Sequence, residues 1–125
     1  MGRGEAMLTP LELQIMQSLW EQGPGTVAEV QARLSQPLAY TTVQTMLGVL
    51  LRKQRVRREM AGRAFVYRPA ISREKAVAGA LKDLVGRMFG GSGEALLMSL
   101  IDARQITPDD LAKAVELVRD AEEKR

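Results

Sequence analysis

Apolar positions in the first fifty residues recur at helical spacing, and clear start and stop signals punctuate them. Thr9-Pro10-Leu11-Glu12 opens a helix, with Thr9 as N-cap, proline at the first helical position and Glu12 as the capping-box partner. Leu11, Ile15, Met16, Leu19 and Trp20 then share one face, and Gly23-Pro24-Gly25 ends the helix near Gln22. Thr26 and Glu29 repeat the capping box. Val27, Val30 and Leu34 form a second, shorter stripe that stops before Ser35-Gln36-Pro37. A third helix begins near Tyr40-Thr41. Val43, Met46, Leu47, Leu50 and Leu51 cluster on its inner side, Thr41, Thr45, Gly48 and Arg52 point the opposite way, and Gln44 lies on the flank.

From Arg55 the period changes. Val56 to Glu59, a turn at Met60-Ala61-Gly62-Arg63, and Ala64-Phe65-Val66-Tyr67-Arg68 closed by Pro69 predict a β-hairpin. Helical spacing then returns. Ser72 opens a helix that runs to about Phe89 through Val77, Leu81, Leu84, Val85 and Met88, and Gly90-Gly91-Ser92-Gly93 breaks it. Leu96, Leu97, Leu100 and Ile101 mark a short helix, and Thr107-Pro108-Asp109-Asp110 caps a last one with the stripe Leu111, Val115, Val118. The predicted fold is mainly α with a small β-hairpin wing: a winged helix-turn-helix over 1–70 and a helical region over 71–125.

Composition narrows the chemistry. The 125 residues are 46% apolar and 26% charged, as in a soluble globular protein, and include neither cysteine nor histidine. That excludes disulfides, thiolate nucleophiles, His-based triads and the usual zinc or copper ligand sets, and no cofactor is expected. Asp109 and Asp110 sit at a helix start, where capping explains them, so no enzyme is expected either. Met1-Gly2-Arg3 opens no apolar signal core, and Ala6 stands where a myristoylation signal after Gly2 needs Ser or Thr. With no stretch near the roughly 18 apolar residues of a membrane span, a cytoplasmic protein is expected.

Charge locates the partner. The net charge of +3 is uneven, at +4 over 1–70 and −1 over 71–125. Residues 52–68 alone carry seven basic side chains against one acid, Glu59. Three helices followed by an arginine-loaded hairpin form a helix-turn-helix with a wing, suited to duplex DNA. Small polar side chains at the start of the third helix fit a major groove about 12 Å wide, which makes Thr41, Thr42, Gln44 and Thr45 the base-reading candidates. Arg52, Lys53, Arg57, Arg58 and Arg63 are candidates for the phosphate backbone. Phe65 and Tyr67 read as packing between wing and core. The alternative is a winged-helix protein–protein interaction module without sequence-specific DNA binding, which would have no need of so dense a basic run.

The helices after the hairpin carry more apolar surface than about fifty residues can bury alone, and Gly79 and Gly86 weaken the first of them. Leu81, Leu84, Val85, Met88, Leu97, Leu100, Ile101, Leu111, Val115 and Val118 therefore read as a homodimer interface, which would pair two recognition helices over a palindromic operator. The other arrangement packs these helices back on the N-terminal module of a monomer.

These segments resemble a known family. Leu8-Thr9-Pro10-Leu11-Glu12 through Leu19-Trp20, Thr26-Val27-Ala28-Glu29-Val30, Tyr40-Thr41-Thr42-Val43-Gln44-Thr45-Met46-Leu47 and Gly62-Arg63-Ala64-Phe65-Val66-Tyr67-Arg68-Pro69 are similar to the BlaI/MecI penicillinase-repressor family, which includes the CopY copper repressors and regulators of antibiotic resistance. The resemblance implies a dimeric winged-helix repressor on a palindromic operator with TACA and TGTA half-sites, released by a signal. In one branch a membrane sensor-linked protease system triggers cleavage within an Asn-Phe pair of the dimerisation region. That pair corresponds to Ser99-Leu100, the candidate cleavage site here, where both residues differ. Two further departures are Val49, where family members commonly carry a basic residue, and Gln54, where a glycine is common and a slightly different helix-to-strand turn is expected. The cysteine-rich tail of the copper-responsive members is absent, which excludes copper sensing by thiolates.

Overall fold

The computed structural model describes residues 8–124, and the signal and myristoylation readings at Met1 to Ala6 fall outside them. Six helices and one hairpin follow in order: α1 (Pro10–Gln22), α2 (Val27–Arg33), α3 (Tyr40–Arg52), β1 (Val56–Ala61), β2 (Ala64–Pro69), α4 (Arg73–Met88), α5 (Gly93–Asp102) and α6 (Pro108–Glu123). By compactness the chain divides into a first unit through Leu81 and a second from Lys82.

The first unit has a closed core. Thr9 and Thr26 each accept from the backbone N–H three residues on, while Glu12 and Glu29 reach back to the cap N–H, so both capping boxes form. With their first turns fixed, α1 and α2 bury Ile15, Met16, Leu19, Val27 and Val30 against Val43, Leu47 and Leu50 of α3. Val56 and Tyr67 of the hairpin complete the cluster. Burying each such side chain contributes about 1.5–3 kcal/mol. Trp20 is half-buried on the rim, and its indole N–H donates to the Ile71 carbonyl at 2.9 Å, holding the chain beyond the hairpin against α1.

The hairpin pairs Val56 with Pro69 through Ala61 with Ala64. Its turn is tighter than the sequence pattern suggests. Met60 and Ala61 stay in the strand, and only Gly62-Arg63 forms the loop, because Gly62 at φ 67° supplies the positive φ that a two-residue type II′ turn needs at its first central position. At the hairpin entry, Gln54 adopts φ 62°, so the turn takes the left-handed geometry that a glycine fills without strain. The Gln54 and Arg55 N–H groups donate to the Leu51 and Leu50 carbonyls and close the end of α3.

The second unit consists of the end of α4 with α5 and α6. Gly90 (φ 56°) and Gly91 (φ 85°) end α4, Ser92 caps α5, and the Thr107–Asp110 capping box starts α6. None of the described residues of α4, α5 or α6 is buried. Among the described residues, no helix is long and apolar enough to cross a membrane.

Candidate nucleic-acid interface

The outer side of α3 follows from what its inner side buries. Because Val43, Leu47 and Leu50 point into the core, helical spacing directs Thr41, Thr45, Gly48 and Arg52 away from it. Thr41, Thr42, Gln44 and Thr45 are all exposed. They do not share one line: Thr41 and Thr45 occupy the centre, and Thr42 and Gln44 lie on opposite flanks. A helix inserted by this face presents hydroxyls in the middle and an amide on one edge.

The start of α3 differs from those of α1 and α2. Its N-cap is Ala39, no side chain caps its first turn, and no acidic residue lies there. The partial positive charge of that end is therefore unmatched within the helix, the electrostatic condition under which a phosphate is favoured. The sequence carried this signal, as Ala39 in place of the threonines that precede α1 and α2.

The basic side chains separate into distinct settings. Arg52 is exposed at the end of α3. Arg57 and Arg68 stand directly opposite each other on the exposed side of the hairpin, a like-charge pair that disfavours the isolated hairpin and favours an anion beside it. Arg68 also pairs with Glu59, but both are largely exposed and the pair contributes little. Arg58, across from Tyr67, lies over the Phe65 ring at 3.9 Å from its centroid and donates through Nη1 to Tyr67 Oη at 3.3 Å. This contact holds the guanidinium in one place. Arg63 is exposed in the turn.

Lys53 is placed otherwise. Its ammonium donates to both Glu12 carboxylate oxygens at 3.0 and 2.9 Å, tying the end of α3 to the start of α1. The Glu12 side chain is 3% exposed. Burial pushes its carboxyl up, but hydrogen bonds from the Thr9 backbone N–H and from Lys53 outweigh burial and hold it below the usual glutamate range.

Two connections that the sequence did not disclose fix the hairpin to the helix-turn-helix. Gly25 and Tyr67 exchange backbone hydrogen bonds of 3.0 and 2.8 Å, adding a one-residue third strand to the hairpin. Arg33, at the end of α2, donates to the Gly23 and Pro24 carbonyls at 2.6 and 3.0 Å and straps the loop that carries Gly25. A Cβ at Gly25 would lie 2.8 Å from the Arg33 guanidinium, so a side chain there would push that strap aside.

Of the interface candidates in the C-terminal helices, Leu81, Leu84, Met88, Leu97, Val115 and Val118 are exposed, and Val85, Leu100, Ile101 and Leu111 are half-buried. Val77, Met98 and Leu117 are also exposed. Ser99 and Leu100 lie inside α5, where their carbonyls accept from the Ala103 and Gln105 N–H groups. A protease could reach the bond between them only after that end of the helix unwinds.

Residues 8–120 match the family model described as penicillinase repressor. The chain is 22% identical over 115 residues to a penicillinase repressor of Bacillus licheniformis, an alignment that covers 90% of each chain. It is 36% identical over 99 residues to the transcriptional regulator BlaI of Mycobacterium tuberculosis, covering 76% of this chain and 72% of the relative.

Proposed function

The chain belongs to the penicillinase repressor family of non-enzymatic transcriptional regulators, and from that premise we propose that it represses transcription as a homodimer on a palindromic operator. The observation that carries this reading is the pairing of an exposed Thr41, Thr42, Gln44 and Thr45 face on α3 with a guanidinium-bearing hairpin anchored to the same core. In the complex, the α3 face reads base edges in the major groove. Arg52, Arg57, Arg58 and Arg63 bind phosphates and supply affinity and salt dependence. Lys53 acts as a strut that sets the angle of α3, its charge already engaged by Glu12.

The winged helix of one subunit addresses one half-site, and the helices over 71–125 join two subunits through Leu81, Leu84, Val85, Met88, Leu97, Leu100, Ile101, Leu111, Val115 and Val118. Release follows when that pairing is lost, because a single half-site binds weakly. Cleavage at Ser99-Leu100 by a sensor-linked protease is one route to that loss. The test is a titration against a palindromic TACA/TGTA duplex and a scrambled duplex of equal length at two salt concentrations. Tighter binding to the palindrome, saturating at two chains per duplex, is the expected result. Absence of binding to either duplex overturns the proposal in favour of a protein-interaction module.

A further inference from the structure

Glycine inside a helix needs a reason, because it is the poorest helix former after proline. In the turns of the winged helix the reasons are visible. Gly23 and Gly62 occupy positive φ, at 91° and 67°, and a Cβ at Gly25 would press on the Arg33 guanidinium that straps its loop. Gly48 has neither excuse. It lies in the interior of α3 with helical backbone, and a Cβ built on it meets nothing within 4 Å. Within this chain an alanine would fit and would strengthen the helix.

What singles out Gly48 is its face. It follows Gln44 by four residues and Thr45 by three, and precedes Arg52 by four, so it sits one turn from each on the outer side of α3. We propose that Gly48 is a positioning residue for DNA: the missing side chain lets the helix backbone approach the floor or wall of the major groove closely enough for Gln44 and Thr45 to reach base edges while Arg52 reaches phosphate. The empty space beside Gly48 is then filled by the duplex. This inference rests on the reading of α3 as the recognition helix. Gly79 and Gly86 share the same openness, but they lie in α4. By helical spacing they fall on the side opposite Val77, Leu81, Leu84, Val85 and Met88. They provide the control.

The experiment compares Gly48→Ala, Gly48→Leu and Gly79→Ala with the unmodified full chain, by thermal denaturation and by titration with the palindromic and scrambled duplexes. Both alanine variants are expected to raise Tm by about 4 °C through helix propensity. Only the Gly48 variants lose affinity for the palindrome, about tenfold for alanine and more for leucine, the scale of one lost base contact. The slope of log affinity against log salt falls by no more than about 1, because among the phosphate contacts only that of Arg52 depends on the approach of α3. If the unmodified protein prefers the palindrome and Gly48→Ala binds it as tightly, the Gly48 proposal is wrong and the recognition-helix reading stands. If the unmodified protein binds no duplex, both fail together.

Discussion

The two units make opposite use of similar apolar content. The first gathers Ile15, Met16, Leu19, Val30, Val43, Leu47, Leu50 and Val56 to 2% exposure or less. The helices that follow bury nothing fully and leave Met88, Leu117 and Val118 more than 60% exposed. Side-chain caps start α1 and α2 in the first unit and α5 and α6 in the second, so local helix signals do not account for the contrast. What differs is closure: the hairpin, the Gly25–Tyr67 bridge and the Lys53–Glu12 pair seal the first core, whereas α4, α5 and α6 bury none of their described side chains. Their stability is therefore expected to depend on protein concentration, and that of the winged helix is not.

Four substitutions probe this contrast. The largest effect is expected from Leu47→Ala, which opens a cavity at the centre of the first core and costs about 3–4 kcal/mol in urea denaturation. Leu84→Asp, in contrast, should leave the winged helix folded by circular dichroism yet shift sedimentation to the monomer. Operator affinity would fall at least about 100-fold, equivalent to roughly 2.7 kcal/mol. A variant that stays dimeric would remove α4 from the interface. Lys53→Met leaves the Glu12 carboxylate without its ammonium partner and is expected to cost about 2 kcal/mol near neutral pH, somewhat less than a fully buried pair because Lys53 is 20% exposed. Since the folded Glu12 carboxyl sits below its ordinary value of about 4.3, the stability it provides is complete above that pH and is lost as pH falls through the lowered value. Stability curves for Lys53→Met and the unmodified chain should accordingly converge as pH falls through that lowered value. Parallel curves would show that the ammonium does not hold the carboxyl down. The smallest effect belongs to Arg58→Ala, which should weaken all duplexes alike and lower the salt slope by about 1, with folding little changed.

Much of this organisation was legible in the residues. Thr9-Pro10-Leu11-Glu12 and Thr26 with Glu29 announce two helix starts through chemistry confined to four positions, and both capping boxes are present. The apolar spacing of α3 likewise separates Val43, Leu47 and Leu50 from the threonine face. Less legible were features that join distant positions. Lys53 and Glu12 are 41 residues apart, and nothing in the local pattern around Lys53 distinguishes it from Arg52, yet one turns inward and the other out. Gly25 belongs to a one-residue strand, too short to alternate, and only Tyr67 across the fold defines it. The sequence pattern overstates the turn length because Met60 and Ala61 lack the β-branched signature, and the Met60–Phe65 and Ala61–Ala64 pairs become evident only in register.

The placement of the first core also bears on how the protein is made. Every side chain of that cluster, with those packed against it, lies between Leu8 and Ile71. At roughly 5–20 residues per second, a ribosome completes this stretch seconds before it finishes α6. The winged helix can therefore fold on the nascent chain while the apolar stripes of α5 and α6 are still in the exit tunnel. In the homodimer proposed above, subunits synthesised from one message would then meet with their winged helices already formed, and assembly would wait on the last helices to emerge.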